Sequence, residues 1–127
     1  MSVKPTEREL AILQVLWAKG PSSVRTVYES LDPDSQKGYT TTLKLMQLML
    51  DKELLTRDDS QRSHVYAAAV GEKEIQRSLL SRFVDKTFRG STARLVMQAL
   101  GQHDASPEEL DEIRQLLDKM DAQRKKG

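Results

Sequence analysis

Residues 38–50 read "GYTTTLKLMQLML". Three consecutive threonines run into a segment that is apolar except for Lys44 and Gln47. At roughly 100° per residue, Leu43, Met46, Met49 and Leu50 share one side of a helix, with Thr42 and Leu45 at its margins. Thr40, Thr41, Lys44 and Gln47 fall in the opposite sector, joined by Leu48. The apolar side demands burial. The other side is narrow, rich in hydrogen-bonding groups and carries one charge. The pattern predicts a helix seated on a core that offers a short polar face, with Thr40 as its N-cap.

The flanking segments put this helix third in a series. Upstream, "TERELAILQVLWAKG" opens with Thr6 and has Glu9 three residues later, a capping box. Leu10, Leu13, Val15, Leu16 and Trp17 form a broad stripe, which Gly20 and Pro21 terminate. Ser22 or Ser23 can cap a second helix, "VRTVYESL", whose Val24, Val27, Tyr28 and Leu31 recur at helical spacing. "DPDSQKG" is a loop by composition. Downstream, "LLTRDD", a turn at Ser60 and Gln61, and "RSHVYAAA" read as a β-hairpin. Three helices and then a hairpin is the order of a winged helix-turn-helix domain, here residues 1–70.

The character changes after Val70. Ile75, Leu79, Leu80, Phe83, Val84 and Phe88 recur at helical spacing up to Gly90. Ser91 can cap "TARLVMQALG". A last helix opens with Ser106, Pro107 and Glu109, and its Leu110, Ile113, Leu117 and Met120 alternate three and four apart. Segments this short rarely hold a core of their own, and pairing with a second copy supplies one. The expectation is a mainly α chain: a winged helix, then a three-helix dimerisation region over 71–127. In the homodimer Ile75, Leu79, Phe83, Leu95, Leu110, Ile113 and Leu117 would be buried between chains.

Composition narrows the function. The 127 residues carry 20 Lys+Arg against 19 Asp+Glu, a net charge of +1. Residues 1–70 hold nine of each sign. Cysteine is absent, which excludes disulfides, thiolate metal sites and thiol chemistry. No apolar run approaches membrane-spanning length, and "MSVKPTEREL" lacks a signal-peptide core, so a cytoplasmic protein is expected. His64 and His103 are far apart and read as loop residues. No Gly-rich phosphate loop or nucleophile elbow occurs. Neither an enzyme nor a bound cofactor or metal is expected.

The polar sector of the third helix suits a DNA major groove. Lys44 can donate to guanine, Gln47 can pair with adenine, and Thr40 and Thr41 can bond a base or a phosphate. Leu48 can meet a thymine methyl. Lys37 and Tyr39, just ahead, are placed for backbone contacts, where the first N–H groups of a helix attract phosphate. Arg62 and Ser63 in the wing can hold a flanking phosphate or enter the minor groove. An ordinary solvent face would carry the same residue types, and the domain's neutral balance lacks the usual basic footprint. The residues alone leave two readings: a winged-helix DNA reader and a winged-helix protein-interaction module.

Larger pieces carry a resemblance. "ELAILQVLWAKGPSSVRTVYESL", "GYTTTLKLMQLMLDKELLTRD", "RSHVYAAAV" and "SPEELDEIRQLL" resemble, in content and spacing, the penicillinase/methicillin-resistance repressors of the BlaI/MecI type and their copper-responsive CopY relatives. The likeness covers nearly the whole chain. It implies a dimeric winged-helix repressor whose third helix reads a palindromic operator and whose C-terminal helices dimerise. It also implies a membrane sensor protease that relieves repression, triggered by a β-lactam. Four features depart from the pattern. Gln61 stands where the family has a wing glycine, and Leu48 where it often has a basic residue. The copper-responsive branch carries C-terminal cysteines, and this chain has none. The family's Asn-Phe cut site falls on Gln98-Ala99, and Ala99 cannot fill a pocket built for an aromatic side chain.

Overall fold

The computed structural model describes residues 4–33 and 37–126. Asp34, Ser35 and Gln36 of the loop expected before the third helix lie outside the described residues. The elements are α1 (Glu7–Lys19), α2 (Val24–Ser30), α3 (Tyr39–Asp51), β1 (Leu55–Asp58), β2 (Val65–Ala68), α4 (Glu72–Thr87), α5 (Thr92–Gln102) and α6 (Pro107–Lys126). This is the expected class: a mainly helical chain with an antiparallel hairpin after three helices, followed by three more helices.

Local chemistry sets the helix starts. Thr6 Oγ1 accepts from the Glu9 N–H at 3.2 Å, and Glu9 Oε1 accepts from the Thr6 N–H at 2.9 Å. Ser23 caps α2 and Ser91 caps α5. Ser106 and Glu109 repeat the reciprocal box at α6. The cap of α3 is a correction. It is Gly38, not Thr40. Gly38 takes φ +111°, a conformation that costs glycine little and threonine much, so the helix starts early and Thr40 lies inside its first turn.

Glu9 does more than close a box. Its side chain is 2% exposed, and its second oxygen lies 2.9 Å from Lys52 Nζ at the end of α3. Burial pushes its pKa up, but the Thr6 N–H and the Lys52 ammonium outweigh that and hold it below the usual carboxylate value. A folded-state pKa below the unfolded one stabilises the fold above the ordinary carboxylate range, and that stability is lost as pH falls through the lowered value. Lys52→Met removes the cation but leaves the buried carboxyl, so the carboxyl rises. Acid titration followed by circular dichroism should show the variant unfolding at a higher pH than the parent. An unchanged midpoint would remove Lys52 from this role.

The core is built from Ile12, Leu13 and Leu16 of α1, Val24 and Val27 of α2, Leu31 beyond it, Met46 and Met49 of α3, and Leu54, Leu55 and Tyr66 around the hairpin. Thr42 is buried with them rather than marginal, so the buried stripe of α3 runs through Thr42, Met46 and Met49. The strands pair from Leu55↔Ala68 to Asp58↔Val65. The connection between them is residues 59–64, longer than the tight turn expected at Ser60 and Gln61. Side chains close the loop: Asp59 bonds Arg57 and His64, and Asp58 accepts from the Ser60 N–H. Ser22 and Tyr66 exchange backbone hydrogen bonds of 2.9 and 2.8 Å, which fasten the wing to the α1–α2 connection. The Trp17 indole N–H donates to the Val70 carbonyl at 3.0 Å.

Two compact units emerge, Met1–Arg82 and Phe83–Gly127, and the division falls within α4. The first unit holds the whole core cluster. Among the described residues, α5 and α6 bury no side chain. Ile75 corrects one sequence expectation. It is 1% exposed within the single chain and has no surface left to give a partner.

Candidate nucleic-acid interface

The third helix presents the face its periodicity suggested. Thr40, Thr41, Lys44, Gln47 and Leu48 are all exposed, on the side away from Thr42, Met46 and Met49. Lys44 belongs to no ion pair among the described residues. Leu48 is 54% exposed, which is unusual for a leucine in the middle of a helix whose other leucines are half-buried. With glycine as the cap, α3 has no side-chain cap hydrogen bond among the described residues.

A cleft of about 540 Å³ lies beside this face. α3 contributes Tyr39, Leu43 and Gln47. The wing contributes Arg57, Arg62, Ser63, His64 and Tyr66. The start of α2 contributes Ser23, Val24 and Arg25. Four of the nine residues picked from the sequence therefore share one cleft: Tyr39, Gln47, Arg62 and Ser63. Thr40, Lys44 and Leu48 continue the exposed face along α3. Lys37 and Thr41 instead line a shallow hollow against α1, beside Arg8.

Sequence reasoning missed two arginines here. Arg25 places its guanidinium 4.7 Å from the centre of the Tyr39 ring, and Tyr28 meets the same ring edge-on at 6.0 Å. Arg57 lies beside the Tyr66 phenol and Asp59, both of which raise its pKa. Asp59 is in turn held below its ordinary value, mainly by Arg57 and then by His64. The domain's balanced charge concealed a segregation. Arg25, Arg57 and Arg62 face the cleft with His64, and among the described residues no carboxylate lines it, although Asp59 beside it pairs with Arg57 and His64. Such a concave basic patch concentrates potential without any net charge on the domain. The signal available in the sequence was Arg25 in the first turn after the Ser23 cap.

The family model described as "Penicillinase repressor" matches residues 5–119. The chain belongs to the penicillinase repressor family. It is 22% identical over 111 residues to the methicillin resistance regulatory protein MecI of Staphylococcus aureus strain N315, covering 87% of this chain and 90% of that one. It is 21% identical over 120 residues to the penicillinase repressor of Staphylococcus aureus, covering 92% and 95%. Transcriptional regulator BlaI of Mycobacterium tuberculosis H37Rv is 32% identical over 73 residues, 57% of this chain and 53% of that one. The penicillinase repressors are transcriptional repressors and not enzymes, and so is this member. The resemblance read from residues 7–70 and from "SPEELDEIRQLL" is thereby confirmed. Gln98 and Ala99 lie inside α5, in regular helix and exposed.

Proposed function

We propose that two copies of this chain repress transcription by binding a palindromic operator in the cytoplasm, each laying α3 in the major groove. The observation that carries the reading is the exposed face Thr40–Thr41–Lys44–Gln47–Leu48 beside a cleft whose ionic groups are all basic. Each side chain has a chemical partner on a base edge: Lys44 for guanine, Gln47 for adenine, Leu48 for a thymine methyl. Among the described residues no helix is long and apolar enough to cross a membrane.

Pairing is supported by the C-terminal helices. Leu79, Leu95, Leu110 and Ile113 are half-buried within the chain, while Phe83 and Leu117 stand half-exposed with Leu80, Leu116 and Met120. Met97 is 74% exposed. Helices that bury nothing are marginal in water, and a second copy offers the same apolar faces in return. Two linked winged helices then address two half-sites at a fixed spacing. Release follows from whatever separates the copies. A membrane sensor protease, the partner the resemblance implies, would have to accept Gln98-Ala99 in α5 or cut elsewhere.

A mobility shift with the chain's own upstream DNA tests the reading. Lys44→Ala and Gln47→Ala should each weaken the operator complex by about 1–3 kcal/mol and relax preference at particular base pairs. Equal losses on operator and unrelated DNA would make these residues anchors rather than readers. Absence of any sequence preference in the parent chain would favour a protein-docking role.

A further inference from the structure

The α2 side of the cleft has an arginine that base reading leaves unused. Arg25 is exposed and forms no ion pair among the described residues. Its guanidinium lies on the Tyr39 ring, 4.7 Å from the centroid, and that ring is buttressed by Tyr28. An arginine on a solvated surface normally samples many rotamers. Stacking on an aromatic face limits this one and leaves the guanidinium's in-plane N–H groups free to donate. The same cleft is lined by Arg62, also without a carboxylate partner among the described residues. Arg57, by contrast, is bound to Asp59. The cleft thus has two guanidiniums without a carboxylate partner among the described residues, one from α2 and one from the wing.

We infer that this cleft grips a backbone phosphate of the bound duplex, with Arg25 as the anchor and Tyr39 as the platform that positions it. The inference rests on the DNA-reading function proposed above and assigns Tyr39 a role through its ring rather than its hydroxyl. A phosphate fits the chemistry: guanidinium donors pair with its oxygens in bidentate fashion, and Arg62 lines the same cleft. Such a contact carries no sequence information. It sets the depth and register at which α3 sits in the groove.

The test uses the full chain and two duplexes, the upstream operator fragment and an unrelated sequence of equal length, over a salt series. Arg25→Ala should lower affinity about tenfold on both duplexes alike. It should also reduce the slope of log K against log salt by about 0.9 for each half-site occupied. Tyr39→Leu removes the platform but keeps the charge, so affinity should fall about two- to fivefold with the slope unchanged. Tyr39→Phe keeps the ring and should bind more tightly than Tyr39→Leu. Circular dichroism melts confirm that each variant is folded, as the exposed position of Arg25 predicts. If the parent binds the operator and Arg25→Ala leaves slope and affinity unchanged, the anchor is refuted while the reading function stands. If Tyr39→Phe loses as much as Tyr39→Leu, the hydroxyl and not the ring is the contact, and the platform is refuted. A parent chain that binds no DNA overturns both proposals.

Discussion

Leu117→Glu should disrupt the proposed dimer and leave the full chain monomeric, and operator affinity should fall about a hundredfold or more. Leu117 is half-exposed in the single chain, one helical turn from Met120 and beside Leu116. A glutamate there costs the isolated chain almost nothing, because surface substitutions of this kind lie within about 0.5 kcal/mol. Between two copies the same carboxylate would be stripped of water among apolar side chains without a partner. The substitution therefore acts on pairing and spares the winged helix. Light scattering reads the assembly state, and a mobility shift reads the linked occupation of two half-sites. A monomer that binds the operator as tightly as the parent would end the two-half-site reading. A persistent dimer would move the seam to the apolar face of α5 around Met97.

The second large effect lies on the hidden side of α3. Met46 is fully buried between the helices of the first unit. Met46→Ala should cost about 2–5 kcal/mol of stability, as the lost contacts and the residual cavity add. Denaturant unfolding of the variant should show an earlier midpoint with little change in slope. Lys44 is two residues away on the opposite side, and its alanine variant should melt like the parent while losing operator affinity. The pair separates the two duties of one helix. Equal stability losses from both would mean that Lys44 is part of the seat and not of the reading face.

Much of this was legible in the sequence because it is local. The boxes Thr6–Glu9 and Ser106–Glu109 are closed by residues three apart, so chain order alone specifies them. The polar face of α3 follows from helical periodicity. The misplaced cap had a competing local solution: Gly38 reaches a positive φ at low cost, and that is invisible to a rule that looks for a threonine side chain. Thr42 was placed at the margin because its hydroxyl hides it from an apolar pattern, although it is 4% exposed. Periodicity showed that Ile75 is buried but not which surface covers it. Arg25 was missed for a different reason. Its role depends on Tyr39 and on the wing across the cleft, and these distances in sequence leave no periodic trace.

On the proposed function, the segregation of charge in the first unit would also shape how fast an operator is found and how long it is kept. A near-neutral body casts little long-range field, so a duplex several Debye lengths away exerts almost no pull on it. Added salt then has little encounter rate to suppress. It acts after docking, on the arginines lining the cleft, and shortens the residence time instead. On the proposed operator-binding function, repression would respond to ionic strength mainly through the rate at which the complex lets go.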